Sequence, residues 1–171
     1  MALAAWRQGE DRAEAHQHVR GVAFTLARAL GGIHPYRASR GLAPEPVLLF
    51  DGQPTRLEFV THTPPVSHPT PIAFTAVVIG FDDRERRGLT IRQRALPNQD
   101  PFDRAQVVLS DSRVTALEFA YLDDNGVWQR AWDGAGLRAT PRAIKIRVAI
   151  EDNGRRETLP ALTVPLRTPA Q

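Results

Sequence analysis

The period of the apolar residues changes once along this chain, and that change constrains its fold most strongly. Between Ala15 and Ile33 the apolar positions Val19, Val22, Leu26 and Leu30 follow one another in steps of three and four residues. Such steps keep them on one side of a helix with 3.6 residues per turn. Arg12, Gln17, Arg20 and Arg28 take the other side. Glu10, Asp11 and Glu14 sit near the start, where the helix dipole favours negative charge. Gly31-Gly32 and then Pro35 stop the helix. The pattern places it over about residues 10–31, with Gly21 costing up to about 1 kcal/mol relative to Ala. Leu3 and Trp6 continue it backwards, against the interruption of Gly9.

Past Pro35 the pattern is that of strands. Short runs rich in Val, Ile, Leu and Phe, spread over about residues 45–166, are separated by Gly, Pro, Asn and Asp. They fall at 46–50, 56–61, 73–81, 88–94, 105–109, 113–121, 127–130, 143–150 and 157–166. Leu57, Phe59 and Thr61 alternate with Arg56, Glu58 and Val60, and Ile144, Ile146, Val148 and Ile150 with Lys145, Arg147 and Ala149. Period two is the signature of a half-buried antiparallel strand. Asp124-Asn125-Gly126 and Asp152-Asn153-Gly154 lie between runs, where Asn-Gly supplies the positive φ of a tight hairpin. Four prolines make His62–Pro71 a loop, read as mobile. One helix followed by many strands predicts an α+β fold, the helix packed on antiparallel sheet. With no internal repeat or boundary, residues 1–171 read as a single domain. A chain of this length buries about 70% of its unfolded surface, enough for a core without staples.

Several kinds of chemistry are excluded or unsupported. The chain has no Cys, which removes disulfides, thiolate nucleophiles and Cys-ligated metal. No apolar run approaches the roughly 18 residues of a membrane span. His16 and His18 point to different helix faces, His34 precedes Pro35, and His62 and His68 flank the Pro-rich loop, so no metal clamp forms. Asp82-Asp83, Asp123-Asp124 and Glu151-Asp152 are adjacent pairs that a strand splits between faces. Asp123–Gly126 lacks the alternating acids of a calcium loop. Ser39, Ser67, Ser110 and Ser112 sit in no nucleophile elbow. The sequence therefore predicts no enzyme, no metal and no cofactor. All but Lys145 of the 22 basic residues are Arg, against 19 acids, which lifts the isoelectric point to about 10.1 without a basic tail. Arg84, Arg86 and Arg87 alternate with Asp82, Asp83 and Glu85 as a solvated turn. No stripe of one sign interleaved with aromatics points to nucleic acid.

Residues 107–150 carry an ordered set of features: Val107-Val108-Leu109, Val114, Leu117–Asp123, Gly126-Val127-Trp128, Trp132 and Pro141–Ile146. With Asp51-Gly52, Leu57–Val60, Leu89–Arg94 and Leu96-Pro97 upstream, this resembles the minor pseudopilin J family of the bacterial type II secretion system, over roughly residues 15–165. The family's Leu-x-x-Asp-Leu is replaced by Leu26–Leu30 without the acid, and its Leu-Pro by Thr140-Pro141. Phe24-Thr25-Leu26 only mimics a prepilin start, because Arg28 and Gly31 follow at once.

The resemblance implies a pilin-like fold and a non-catalytic role. It implies assembly with the I and K pseudopilins, and with the H type, at a pseudopilus tip. It also implies contact with secreted substrates, a methylated N-terminus, and a periplasmic domain anchored in the inner membrane by a helix that Met1 does not include. Leu3 and Trp6 are the candidate partner contacts. Val19, Val22, Leu26, Leu30, Phe59, Phe119, Tyr121, Trp128, Trp132, Ile144 and Ile146 are the candidate core. In one strand Trp128 and Trp132 would face the same side and anchor a hairpin to it. The alternatives are a minor pilin of type IV pilus assembly, and a carbohydrate- or ligand-binding β-rich domain with both Trp near His62 or His68.

Overall fold

In the computed structural model, which describes residues 2–40, 42, 45–82 and 88–167, the first element is a helix, α1 (Ala2–Gly31). It starts eight residues before the expected position, because Gly9 does not break it. An Ala-rich stretch offsets one helical glycine. Ala15, Val19, Val22, Ala23, Leu26, Ala29 and Leu30 form its buried stripe.

Two hydroxyls finish the helix. Thr61 donates to the Ala29 carbonyl at 2.8 Å and Thr63 to the Arg28 carbonyl at 2.9 Å, filling acceptors that a helix end leaves open. Gly32 is needed there: a Cβ would run into both Thr hydroxyls.

The strands form one small and two larger sheets. β1 (Arg37–Ala38) pairs with β2 (Val47–Leu48). A six-stranded sheet contains β3 (Asp51–Gly52), β4 (Arg56–Thr61), β5 (Thr75–Asp82), β6 (Gly88–Ala95), β7 (Gln106–Asp111) and β10 (Trp132–Asp133) in the order β10-β3-β4-β5-β6-β7. The second sheet contains β8 (Val114–Leu122), β9 (Trp128–Gln129), β11 (Ala143–Asp152), β12 (Arg155–Thr158) and β13 (Leu162–Pro165). β11 is central, with β8 on one edge and β12 and β13 sharing the other. A single turn of helix, α2 (Gly134–Leu137), is capped by Asp133, which accepts from the Gly136 amide at 2.9 Å.

The run expected at 157–166 is thus two strands, and 46–50 is divided between β2 and the approach to β3. Asn153 and Gly154 both have positive φ, as a type I′ hairpin requires. The other turn is organised differently. One Asp123 oxygen accepts the amides of Asn125 and Val127, the other the side-chain amide of Gln129, and these bonds hold its carboxyl below the usual range. The charged run at Asp83–Arg87 lies outside the described residues.

The main core lies between α1 and the two large sheets. It holds Val19, Val22, Leu26, Leu30, Phe59, Phe119, Tyr121, Trp132, Ile144 and Ile146. A second cluster, Leu49, Val60, Ala76, Val78, Leu96 and Phe102, covers the opposite face of β4 and β5. β4 is therefore buried on both faces, where alternation suggested one. Glu58, on the supposed solvent side, is only 5% exposed and is held by Arg56 at 2.7 Å and Arg40 at 3.0 Å. The Pro-rich loop is tied down rather than loose. The side-chain amide of Gln93 clasps both backbone groups of Val66, and His68 bonds Thr75 at 2.9 Å.

Candidate interaction surfaces

No cluster of metal-binding side chains forms among the described residues. His18, His34 and His68 have structural contacts instead. His18, half-buried on α1, has Nε2 2.5 Å from Asp111 and Nδ1 2.9 Å from Arg113. Arg113 can only donate, so Nδ1 accepts and the ring proton on Nε2 faces Asp111. The trio fastens the helix to the β7–β8 hairpin. His34 leans on Phe74, their ring centres 4.7 Å apart. The cavity lined by His68 is walled by Val66, Gln93, Arg94 and Arg104, with neither indole.

The two tryptophans part company. Trp132 lies in β10, pairs with Gly52 of the six-stranded sheet, and is buried, its indole donating to the Ala139 carbonyl at 2.7 Å. Trp128 lies in β9, pairs with Leu122 of the second sheet, and stays half-exposed outside both core clusters. The core assignment of Trp128 is corrected accordingly. The bend at Arg130 carries the chain from one sheet to the other, so a single-strand count of four does not apply. The Lys145 ammonium sits 3.9 Å from the Trp128 ring centre, covering one face of it. This leaves no exposed Trp pair on which a sugar could stack.

The first face that offers apolar surface to a neighbour belongs to α1. From Ala4 to Glu14 every described side chain is exposed, and the first buried one is Ala15. This stretch is touched from one side, where Arg155 reaches the Gln8 carbonyl and Arg12 approaches Glu157. Trp6 and Phe24 are each 70% exposed. Eighteen positions separate them, which at 3.6 residues per turn is five turns, so both rings stand on one side, about 27 Å apart. That side is opposite the Val19–Leu26 stripe, and exposed Ala13 and Gln17 lie between the rings. The side chain of Leu3 lies outside the described part. In the sequence Phe24 was weighed only as part of a prepilin-like start and not as a contact residue, though its wheel position opposite the core stripe was a readable signal.

A second face is the outer side of the second sheet. There Arg147 pairs across strands with Glu118, Ala149 with Ala116, and Lys145 with Ala120.

The family model described as type II secretion system protein J matches residues 3–162. The chain belongs to that family. No curated protein matches it. The match runs from the exposed start of α1 to the beginning of β13, so both faces lie within it. Members of the family are pseudopilins of the secretion machine, structural rather than catalytic parts of the cell envelope. The α+β arrangement of one long helix on antiparallel sheets is the pilin-like fold expected of it. No helix among the described residues is long and apolar enough to cross a membrane.

Proposed function

We propose that this pseudopilin joins other minor pseudopilins, of the I and K types and in contact with the H type, at the tip of a pseudopilus. Its folded part would stand in the periplasm, anchored in the inner membrane. There it would support export of proteins across the outer membrane by association rather than catalysis. The observation that carries the reading is the outward face of α1. A helix exposed over its first half, with Trp6 and Phe24 on one side and small Ala13 between them, has the shape that a second helix packs against. Large aromatics set in such a face are the residues in which binding energy concentrates.

Analytical ultracentrifugation with purified I and K domains tests it. Co-sedimentation is expected at micromolar concentration. Trp6→Ala with Phe24→Ala would weaken it by about 2 kcal/mol or more. Independent sedimentation, or an equally stable complex from the double variant, refutes the reading.

A further inference from the structure

We propose that the outer face of the second sheet binds an extended, acidic segment of another protein. This site is separate from the helix face and does not depend on its partners. Three arginines from three segments meet on it: Arg130 from the bend after β9, Arg147 from β11 and Arg156 from β12. They wall a cavity of about 440 Å³, bounded also by Pro54 and Phe81.

The register explains the convergence. Residues 116, 118 and 120 of β8 share a face with 145, 147 and 149 of β11, and Ala149 pairs onward with Thr158 of β12. The floor is consequently made of half-buried Ala116 and of Ala149, itself only 2% exposed, and these small side chains leave room for the cavity between the arginines.

The cations around this cavity are poorly satisfied. Among the described residues neither Arg130 nor Arg156 has a carboxylate within ion-pair distance. Arg147 reaches Glu118 only at 3.9 Å, and both side chains are more than half exposed. Such a pair holds its Arg weakly. Guanidinium groups grip carboxylates through two parallel hydrogen bonds, so they suit Asp and Glu side chains spaced along a strand. Trp128 and Lys145 extend the same face past Ala120, adding an aromatic plate beside the cations. Arg with Trp is the composition of an interface centre. Glu118 and Glu151 on the same side argue against a phosphate polymer, which cannot avoid them, whereas an acidic peptide can place its carboxylates between them.

The test is fluorescence anisotropy with a labelled peptide of alternating Glu and Ala. Inorganic phosphate and phosphatidylglycerol vesicles serve as parallel arms. Peptide binding is expected at low salt, fading as ionic strength rises. Arg147→Glu with Arg156→Glu should weaken it by about tenfold or more, since two attractive contacts become repulsive. Arg7→Glu with Arg104→Glu carries the same charge change elsewhere and should leave the affinity in place. Circular dichroism verifies that each variant is folded. The peptide should also perturb indole fluorescence in a way that Trp128→Phe abolishes. Equal loss in both charge variants overturns the site, as does binding of phosphate or vesicles without binding of the peptide.

Discussion

Tyr121 should make this domain sensitive to alkali in a way that a single substitution removes. Its ring is fully buried, edge-on to Phe50 with centres 6.3 Å apart, and its hydroxyl donates to the Gln53 carbonyl at 2.7 Å. Burial first, and the Asp51 carboxylate second, raise the phenol far above its ordinary range. The folded state therefore keeps the proton where the unfolded chain loses it, near pH 10. For a group whose folded pKa is raised, the stabilisation is complete below the unfolded value and is lost as pH climbs above it. One such phenol removes about 1.4 kcal/mol by pH 11 and about 2 kcal/mol by pH 11.5. Tyr121→Phe keeps the ring but leaves the Gln53 carbonyl unpaired, at a cost of about 1–2 kcal/mol independent of pH. Wild type should be the more stable at pH 8, and the two stability curves should converge or cross near pH 11. Guanidinium unfolding followed by circular dichroism between pH 8 and 11.5 measures this. Every other ionisable group is common to the two proteins, so the difference between their curves isolates Tyr121. Parallel curves for the two proteins above pH 10 would refute the argument.

Thr61→Val keeps the shape of a fully buried residue and removes the hydroxyl that fills the Ala29 carbonyl and receives the Thr63 amide at 3.1 Å. A loss of about 2 kcal/mol is expected, read as a fall in Tm of about 4–8 °C. Gly52→Ala drives a Cβ into the Tyr121 ring and should cost about 1–3 kcal/mol in the same assay. Gln93→Leu releases both backbone groups of Val66, and limited proteolysis should then cut faster within His62–Pro71. An unchanged cleavage pattern would mean that the clasp does not hold the loop.

The elements that were legible in the sequence are those whose evidence is local. The stripe Val19–Leu30 announces its helix, and Asn153-Gly154 announces its hairpin, because each signal needs only a few neighbouring residues. The start of α1 was less legible, since tolerance of Gly9 depends on the whole helix rather than on the glycine. Contacts that join distant segments left no trace. His18 meets Asp111 across 93 positions, and no spacing rule connects them. Alternation in Arg56–Thr61 correctly sorted the side chains into two faces but could not show that both are covered. The cover over Val60 comes from residues around Leu49 and Phe102, in segments with little regular structure to announce it. Trp128 was misplaced for a related reason: the distance between two tryptophans is informative only while both remain in one strand.

The two proposed surfaces lie on opposite sides of β11, and that placement makes a prediction about the pair. Ile144, Ile146, Val148 and Ile150 face the core beneath α1, while Lys145, Arg147 and Ala149 face outward. The sheet between them is fixed at its β8 edge by the turn after β3. There the Pro54 carbonyl accepts the Phe119 amide at 2.8 Å and the Thr55 carbonyl accepts the Phe81 amide at 2.9 Å. A partner helix packed on Trp6 and Phe24 neither covers the arginines nor has a loose element through which to move them. Two sites without a shared two-state element have a coupling free energy near zero. The acidic peptide should then bind the isolated domain and the assembled minor pseudopilins with the same affinity, to within about twofold, and linkage requires the reverse to hold as well. Anisotropy titrations with and without saturating I and K domains decide it. A tenfold weakening on assembly would place the partner over the basic face, and the assignment of the helix side as the assembly surface would fall with it.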